Sequence, residues 1–390
     1  MKQIKWALLA GLALCAAPWA QAASSVKIGF VTTLSGPGAV IGQEAKDGFA
    51  LGLKATGNKL GGVPVELEVV DDQMNADAGR QAVERLVKRD KVDVVTGIIY
   101  SNVLLPVVPA VLNSDTVFLS LNSGPADYAG AKCHRNFFSV ALQNEDMPQA
   151  MGKYAMERKY QRVALIAPNY PGGREILAGF KRQYRGTLVD EVYPKLGQLD
   201  FAAELAVLRA SKPDAIFFFL PGGMGVNFIK QFEATGMSKQ VDLLTLGFSA
   251  DEDTIKAVGE PLVGVHNASS WAVDLPNAAN EKFVAEFKKA YGRLPTLYAA
   301  QAYDTAMLLD GAVKTVGGKV EDREAFRTAL RAAHFTSVRG SFKFGINQYP
   351  VQNVYLRAVQ KGAGGKISNK LVTTLLTDHV DAFASSCSLK

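Results

Sequence analysis

Histidine and cysteine are scarce in this sequence, which limits the metal and nucleophilic chemistry it can support. Its 390 residues include four histidines, and none of them has the spacing of a zinc motif such as H-E-x-x-H. The segments LSGPG and LNSGPA do not match the G-x-S-x-G motif of a hydrolase serine. Because these catalytic patterns are missing, the sequence favours a binding protein, without metal or cofactor, over a secreted enzyme on the same scaffold.

The glycine-rich segment GFVTTLSGPGAVIGQEA (29–45) also lacks the features of a nucleotide-binding loop. A dinucleotide fingerprint would need glycine where Ile41 stands, and a P-loop would need Gly-Lys-Ser/Thr at its end. Pro37 removes a backbone N–H that could face a phosphate. The segment is therefore predicted to form a strand, a turn and a helix that bind no nucleotide.

Long hydrophobic runs are limited to the amino terminus. Residues 1–5 carry two positive charges, at Lys2 and Lys5, and residues 6–19 form an apolar run. Ala-Gln-Ala at 20–22 matches the small-x-small pattern of a cleavage site. This predicts a signal peptide cleaved after Ala22. A short membrane anchor is the alternative, but the run is shorter than the ~20 residues that span a bilayer.

The excess of positive charge is small. Loss of Lys2 and Lys5 with the signal peptide would lower the formal net charge from +6 to +4. The remaining basic residues lie among acids and apolar residues, which is typical of solvated helix faces rather than of a nucleic-acid interface. The charge thus allows a mild preference for anionic ligands and predicts no nucleic-acid partner.

Two cysteines, Cys133 and Cys387, remain after Cys15 leaves with the signal peptide. An exported protein with an even number of cysteines is predicted to form a disulfide. Two buried free thiols are the alternative. His134 follows Cys133 and could suggest a nucleophile, but side chains adjacent in sequence rarely face each other.

Short β-branched or aromatic segments alternate with amphipathic helical segments along the chain. The strand-like segments are VKIGFVTTL, VPVELEVVDD, VDVVTGIIY, DTVFLSLNS, RVALIAPN, DAIFFFLPG and DLLTLGF. This order predicts an α/β protein with doubly wound parallel sheets, and the length of the chain favours two lobes. Ligands of such sheets bind at the carboxyl ends of the strands.

Polar and aromatic side chains follow several of these strands. Ser101 and Asn102 begin a predicted helix, where short hydroxyl side chains and free N–H groups favour a carboxylate; simple helix capping by Ser101 is the alternative. Asp71 and Asp72 end another strand and could form a metal or acid–base pair, although a structural hydrogen-bonding role is commoner. The further candidates at strand ends are Asn122, Ser123, Gly124, Tyr170, Phe248 and Tyr298.

The chain resembles the periplasmic substrate-binding proteins of branched-chain amino acid type ABC transporters, the leucine-binding-protein-like type I family. The segments that carry the resemblance are VKIGFVTTLSGPGAVIGQEAKDGFAL, ELEVVDDQMNADAGRQAVERLV, VDVVTGIIYS and YAAQAYDTAMLLDGA. It implies a periplasmic protein that is not an enzyme, acts as a monomer, and delivers a small ligand to the permease and ATPase subunits of an importer.

The resemblance also implies an architecture of two doubly wound lobes joined by three crossover strands that close on the ligand. The crossovers would fall near 139–144, 268–272 and 351–354, with Trp271 at a hinge or in a packing role. The implied amino-terminal lobe consists of residues 23–141 plus 272–352. The carboxy-terminal lobe consists of residues 142–271 plus 353–390.

Ligand contacts carried over from the family begin with Ser101, which would bind the ligand carboxylate. The other positions in the implied ligand site are Ile41, Tyr100, Asn122, Ser123, Gly124, Tyr170, Pro221, Phe248 and Tyr298. Ile41 and Pro221 replace tyrosines of the family.

The acid that pairs with the ammonium of an amino-acid ligand is missing, since Gly247 or Phe248 stands in its place. Burial of an unpaired ammonium costs several kcal/mol. The sequence therefore favours an aromatic carboxylate such as a benzoate or hydroxycinnamate, and resembles the branch of the family associated with aromatic acids. A branched-chain amino acid or amide binder is the alternative, with Asp251 as the counter-charge.

Overall fold

The computed structural model describes residues 25–389, and the predicted signal peptide at 1–22 lies outside them. The strands are β1 (Val26–Thr32), β2 (Lys59–Leu60), β3 (Val63–Asp71), β4 (Val94–Thr96), β5 (Val117–Ser120), β6 (Phe137–Ser139), β7 (Arg162–Ile166), β8 (Thr187–Val192), β9 (Ala215–Phe218), β10 (Asp242–Leu246), β11 (His266–Ser269), β12 (Lys343–Phe344), β13 (Pro350–Lys361) and β14 (Ile367–His379). The predicted alternation of strands and helices is confirmed.

The helices between these strands begin and end as follows. They are α1 (Ala39–Ala55), α2 (Ala76–Lys88), α3 (Ser101–Leu112), α4 (Ala126–Ala129), α5 (Asp146–Glu157), α6 (Pro171–Gln183), α7 (Ala202–Ala210), α8 (Gly223–Ala234), α9 (Glu252–Val258), α10 (Ala278–Tyr291), α11 (Leu297–Thr315) and α12 (Arg323–Ala332). From residue 25 to residue 389, no helix is both long and apolar enough to cross a membrane.

The first sheet has the strand order β2-β3-β1-β4-β5-β6. Its strands are parallel except β2, which pairs antiparallel with β3. Helix α1 lies so close to α11 that a Cβ added at Gly48 would come within 2.2 Å of the Ala299 carbonyl oxygen. The first lobe therefore includes α11, which comes after β7 to β11 of the second lobe in the sequence.

The second sheet has the order β12-β13-β11-β10-β9-β7-β8, with β14 paired to β13. Strands β7 to β11 are parallel, as predicted. At its edge, β13 pairs antiparallel with β11, β12 and β14, so the sheet is mixed. The sequence prediction missed the long β13–β14 pair because these strands come late in the chain and are joined by a short turn rather than by a helix.

Three crossovers join the two lobes: the segment after β6, the segment after β11, and β13 itself. The Ser139 N–H at the end of β6 donates to the Gln348 carbonyl at 3.0 Å. Gln348 lies just before β13, so this bond connects the end of β6 with the start of the third crossover. Nearby, the fully buried Arg339 Nε donates to Asp304 Oδ2 at 2.8 Å. The predicted residue boundaries of the lobes, 23–141 plus 272–352 and 142–271 plus 353–390, stay a prediction.

Trp271 lies two residues after β11, in the second crossover. Its side chain is fully buried, and its Nε1 donates to Asn280 Oδ1 at 2.7 Å. Its carbonyl accepts a hydrogen bond from Arg357 Nη1 on β13 at 3.2 Å, which links the second and third crossovers. These contacts give Trp271 a packing role, while its part in hinge motion stays a prediction.

The predicted disulfide between Cys133 and Cys387 is confirmed, with the two Cα atoms 5.6 Å apart. It connects positions 254 residues apart and fixes the carboxy-terminal segment to the first lobe. Bonding to Cys387 also excludes the interpretation of Cys133 and His134 as a nucleophilic pair.

We expect the double substitution Cys133→Ser/Cys387→Ser to lower the free energy of unfolding by about 2–5 kcal/mol, because the covalent link restricts the unfolded chain. Urea unfolding under non-reducing conditions measures the difference. The control is Ser386→Ala, which keeps the disulfide. Equal stability of the double variant and the wild type would contradict the prediction.

Candidate ligand-binding site

A narrow cavity lies between the two lobes, at the carboxyl ends of the parallel strands. The space open to a water-sized sphere inside it is about 20 Å³, close to the minimum that one water molecule requires, so the walls of the two lobes lie close together. The residues that line it are Ile99, Tyr100, Ser101, Asn122, Ser123, Asn144, Tyr170, Gly172, Ile176, Phe219, Pro221, Phe248 and Tyr298. Both lobes contribute, so the cavity exists only while the lobes are in contact.

One end of the cavity is formed by hydroxyl and amide groups. The Ser101 and Ser123 Oγ atoms lie 2.6 Å apart, and Asn144 Nδ2 donates to Ser101 Oγ at 3.4 Å. Ser101 begins α3, whose first N–H groups have no acceptor within the helix. Gly172 in the first turn of α6 approaches from the other lobe, so two helix N-termini meet at this end, an arrangement that stabilises anions.

Aromatic rings from both lobes form the walls of the cavity. Tyr100 and Tyr170 meet edge to face with centroids 6.1 Å apart. Phe248 lies 5.2 Å from Tyr298 and 6.2 Å from Phe219, again between ring centroids. Burial raises the pKa of Tyr170 and Tyr298 well above the usual value, so both phenols stay neutral and can donate hydrogen bonds.

Position 247, where an acid would pair with a ligand ammonium, is closely packed. A Cβ added at Gly247 would lie 2.9 Å from Arg357 Nη2 and 2.7 Å from Ser269 Oγ, so no side chain fits there without movement. Arg357 is buried, and its Nη2 has no hydrogen-bond partner. Burial lowers its pKa to about 10, while the charges of Glu252 and Asp251 oppose that shift. Phe248, the other aligned position, contributes its ring to the wall.

A second space of about 280 Å³ adjoins the cavity beside Tyr298 and contains buried carboxyl groups from both lobes. Glu44 accepts hydrogen bonds from Arg293 Nε at 2.6 Å and Thr296 Oγ1 at 2.9 Å. Burial and the charge of Asp253 nevertheless raise the pKa of Glu44 to about 8. Asp251 caps α9 by accepting from the Thr254 N–H at 2.9 Å, and burial raises its pKa to about 7.

The structure brings most of the sequence-predicted ligand residues together. Those that line the cavity are Tyr100, Ser101, Asn122, Ser123, Tyr170, Pro221, Phe248 and Tyr298. Ile41 lies in the adjoining space instead. Gly124 lies behind the wall, where its N–H donates to Asn144 Oδ1 at 2.9 Å. The ligand-binding role of these residues stays a prediction.

Sequence reasoning missed several wall residues. Phe219 directly follows β9, so the strand-end rule could have found it, whereas Gly172 lies in the first turn of α6, beyond the loop that follows β7. From the sequence, Asn144 was predicted only as the last residue of the crossover near 139–144. Arg357 lies in the middle of β13, and no local pattern marks it as a neighbour of the cavity wall.

Asp71 and Asp72 hold the turn after β3. Asp71 Oδ1 accepts from the Leu34 and Gln73 N–H groups, and Asp72 Oδ1 accepts from Thr33 Oγ1 at 2.6 Å. These bonds support the structural interpretation of the pair. No group of three or more potential metal ligands is found within residues 25–389.

Comparison with known proteins identifies relatives over nearly the whole chain. The model of the family described as "Periplasmic binding protein" matches residues 25–366. A curated relative from Brucella melitensis biotype 1, named Leu/Ile/Val-binding protein homolog 6, is 26% identical over 383 residues, which is 96% of this chain and 97% of the relative.

Solved structures with the same fold include two solute-binding proteins of ABC transporters. One, from R. palustris in complex with benzoate, has a TM-score of 0.89 and 29% identity. The match covers 94% of this chain and 100% of the chain of that structure. The other, from Rhodopseudomonas palustris BisB5 in complex with 3,4-dihydroxybenzoic acid, has a TM-score of 0.84 and 27% identity, with 92% and 99% coverage.

We expect Gly172→Ala to weaken ligand binding by at least about tenfold, or roughly 1.4 kcal/mol, and to change the stability of the unliganded protein much less. The added Cβ would lie 2.9 Å from Ser101 Oγ of the opposite lobe and so oppose closure; it would also lie 2.9 Å from Tyr170 Cε2 of its own lobe, so the end of that side chain has to shift. Calorimetric titration and the melting temperature measure the two effects. Gly362→Ala, in the turn between β13 and β14, is the control; unchanged affinity in Gly172→Ala would contradict the prediction.

Proposed function

Because the chain belongs to the periplasmic binding protein family and is a solute-binding protein of an ABC transporter, we propose that its ligand is a small aromatic carboxylate. A benzoate- or hydroxycinnamate-like acid binds between the lobes, and the closed protein delivers it to the membrane permease that the ATPase subunits drive. The proposal includes action as a monomer in the periplasm. Cleavage of the signal peptide after Ala22 stays a prediction.

The observation that carries this proposal is the packing at Gly247 and Phe248. An amino-acid ligand needs a carboxylate near this position, but Gly247 has no room for a side chain and Phe248 presents a ring. The nearest charged group at Gly247 is the guanidinium of Arg357, which would repel an ammonium. A ligand with one anionic group and no cationic group avoids this cost.

The rest of the cavity supports the same class of ligand. The Ser101 hydroxyl and two helix N-termini offer donors for a carboxylate. Tyr100, Tyr170 and Phe248 offer ring faces and edges against which an aromatic ligand can pack.

The comparisons support the aromatic class because two similar solute-binding proteins are described in complex with benzoate and with 3,4-dihydroxybenzoic acid. The curated relatives carry the names of Leu/Ile/Val-binding proteins and favour the alternative, a branched-chain amino acid or amide binder in transport or sensing. In that case Asp251 would have to leave its capping bond to the Thr254 N–H and face the cavity.

We expect benzoate, hydroxybenzoates and hydroxycinnamates to raise the melting temperature. At ~100 times its dissociation constant a ligand stabilises the native state by about 2.7 kcal/mol. Two matched pairs isolate the ammonium: 3-phenylpropanoate against phenylalanine, and 4-methylpentanoate against leucine. In each pair the acid should bind better than the amino acid. Benzamide tests the need for the negative charge.

Micromolar binding of leucine together with no response to any aromatic acid would reject the aromatic-carboxylate proposal. Binding of leucine in the same set of ligands would then support the alternative function, a branched-chain amino acid binder. In that case Asp251→Asn should abolish the leucine response if Asp251 supplies the counter-charge.

We expect Ser101→Ala to weaken binding of the aromatic acid by about 1.5–3 kcal/mol, the scale of a hydrogen bond to a charged group. Ser114→Ala is a matched control, because Ser114 follows the other end of α3 and donates to the Val111 carbonyl. Isothermal titration measures both dissociation constants. Equal losses in the two variants would argue against a direct contact between Ser101 and the carboxylate.

A further inference from the structure

A partly buried carboxyl group lies directly behind the anion end of the cavity. Glu175, in the second turn of α6, is outside the set of residues that line the cavity. Its Oε2 accepts from Asn144 Nδ2 at 2.6 Å, and its Oε1 accepts from the Ala126 N–H of the first lobe at 3.2 Å. No Lys or Arg side chain of the described residues makes an ion pair with it. Glu175 thus accepts hydrogen bonds from Asn144 and from the Ala126 N–H of the first lobe, and both donors are uncharged.

Asn144 stands between Glu175 and the cavity, and its amide is held on every side. Its N–H donates to the Gly124 carbonyl at 2.8 Å, and its Oδ1 accepts from the Gly124 N–H at 2.9 Å. Its Nδ2 group donates one hydrogen to Glu175 and the other to Ser101 Oγ. Because an amide NH₂ has two hydrogens, the orientation of Asn144 is fully determined.

The hydroxyl of Ser101 is oriented in turn by its neighbours. Its oxygen accepts from Asn144 Nδ2 and lies 2.6 Å from Ser123 Oγ. A hydroxyl has one hydrogen and two acceptor positions. Either hydroxyl can be the donor of the bond between Ser101 and Ser123. In the arrangement in which Ser123 donates, Ser101 Oγ accepts from both Ser123 and Asn144, and the Ser101 hydrogen is free to donate to a ligand carboxylate in the cavity.

We propose that Glu175 is a positioning residue for the anion site and that its proton couples capture of a carboxylate ligand to pH. It acts through Asn144, which aims the Ser101 hydroxyl at the ligand, and it does not touch the ligand itself. The inference rests on the proposed function, since it requires that the ligand be an anion.

The charges around Glu175 favour its protonated form. Burial raises its pKa to about 7. The hydrogen bonds from Asn144 and the Ala126 N–H oppose that shift, while the carboxylates of Glu145, at the N-cap of α5, and Asp127 on α4 add to it. Arg182 pairs with Glu145, and Lys132 pairs with Asp127, so these cations are engaged elsewhere. The other titratable groups that face it are the neutral phenols of Tyr170 and Tyr349.

A bound carboxylate adds a negative charge one side chain away from Glu175. Like charges disfavour ionisation, so the pKa of Glu175 is higher in the complex than in the free protein. Binding therefore takes up a proton wherever the pH lies between these two pKa values. In that interval affinity falls as the pH rises, by at most about tenfold per pH unit, and it levels off on either side.

The test is calorimetric titration with benzoate and 4-hydroxybenzoate between pH 6 and pH 8.5, in phosphate and in Tris at the overlapping pH values. The two buffers have different enthalpies of ionisation, so the difference in heat gives the number of protons taken up. Glu44 and Asp251 are also buried in the closed cleft and also contribute protons. The informative quantity is therefore the difference between the wild type and Glu175→Gln.

We expect Glu175→Gln to take up fewer protons than the wild type and to show a flatter dependence of affinity on pH. Glu157→Gln, which removes an exposed carboxylate at the far end of α5, is the matched control and should keep the wild-type slope. Glu175→Ala, which frees Asn144, should lose about tenfold or more in affinity at pH 6, where charge repulsion is weakest. Glu175→Gln should retain most of that affinity, since an amide oxygen can still accept from Asn144.

Two results would overturn the inference while leaving the proposed function intact. One is equal proton uptake and equal slope in the wild type and Glu175→Gln. The other is wild-type affinity of Glu175→Ala at pH 6, with the melting temperatures of the unliganded variants confirming that each is folded. Absence of binding by any aromatic acid to the wild type would instead refute the proposed function, and this inference with it.

Discussion

The parallel direction of the strands in both sheets is the constraint on which the site depends. Parallel strands place their carboxyl ends, and the amino ends of the helices that follow, on one side of each sheet. In this protein the two such sides face each other, so α3 and α6 direct their N-termini into the same cavity from opposite lobes. The topology thus places the helix N-termini that can bind an anion in the cavity. The side chains at the same strand ends and helix starts add the hydroxyl donor and the aromatic walls.

The sequence predicted the parts of the site that local rules describe. Ser101 was found because it follows a strand and begins a helix, and the paired cysteines were found from the compartment and the even count. Glu175 and Arg357 were not found, since one lies inside a helix and the other inside a strand, and each matters only through residues distant in sequence. The antiparallel β13–β14 pair was missed for a related reason, because its turn was not recognised as joining two strands at the edge of a parallel sheet.

Charge is distributed unevenly along the interlobe cleft. The end near Ser101 contains neutral donors, whereas the adjoining space near Ile41 contains carboxyl groups of Glu44, Asp251 and Asp253 whose pKa values burial raises. A raised pKa reduces the fraction of a carboxyl group that is ionised at neutral pH. The acids that line this space therefore repel a negative ligand less than fully ionised carboxylates would.

The order of the chain through the two lobes has a consequence for synthesis. Helix α11, which packs on α1, begins at Leu297, after the whole of β7 to β11 has been made. Helix α1 lacks this partner until that point, whereas the parallel core of the second lobe can assemble from contiguous chain. Contacts this distant in sequence form slowly. During synthesis from the amino terminus the first lobe is therefore completed after the parallel core of the second, and Cys133 pairs with Cys387 only after β13 and β14 have been made.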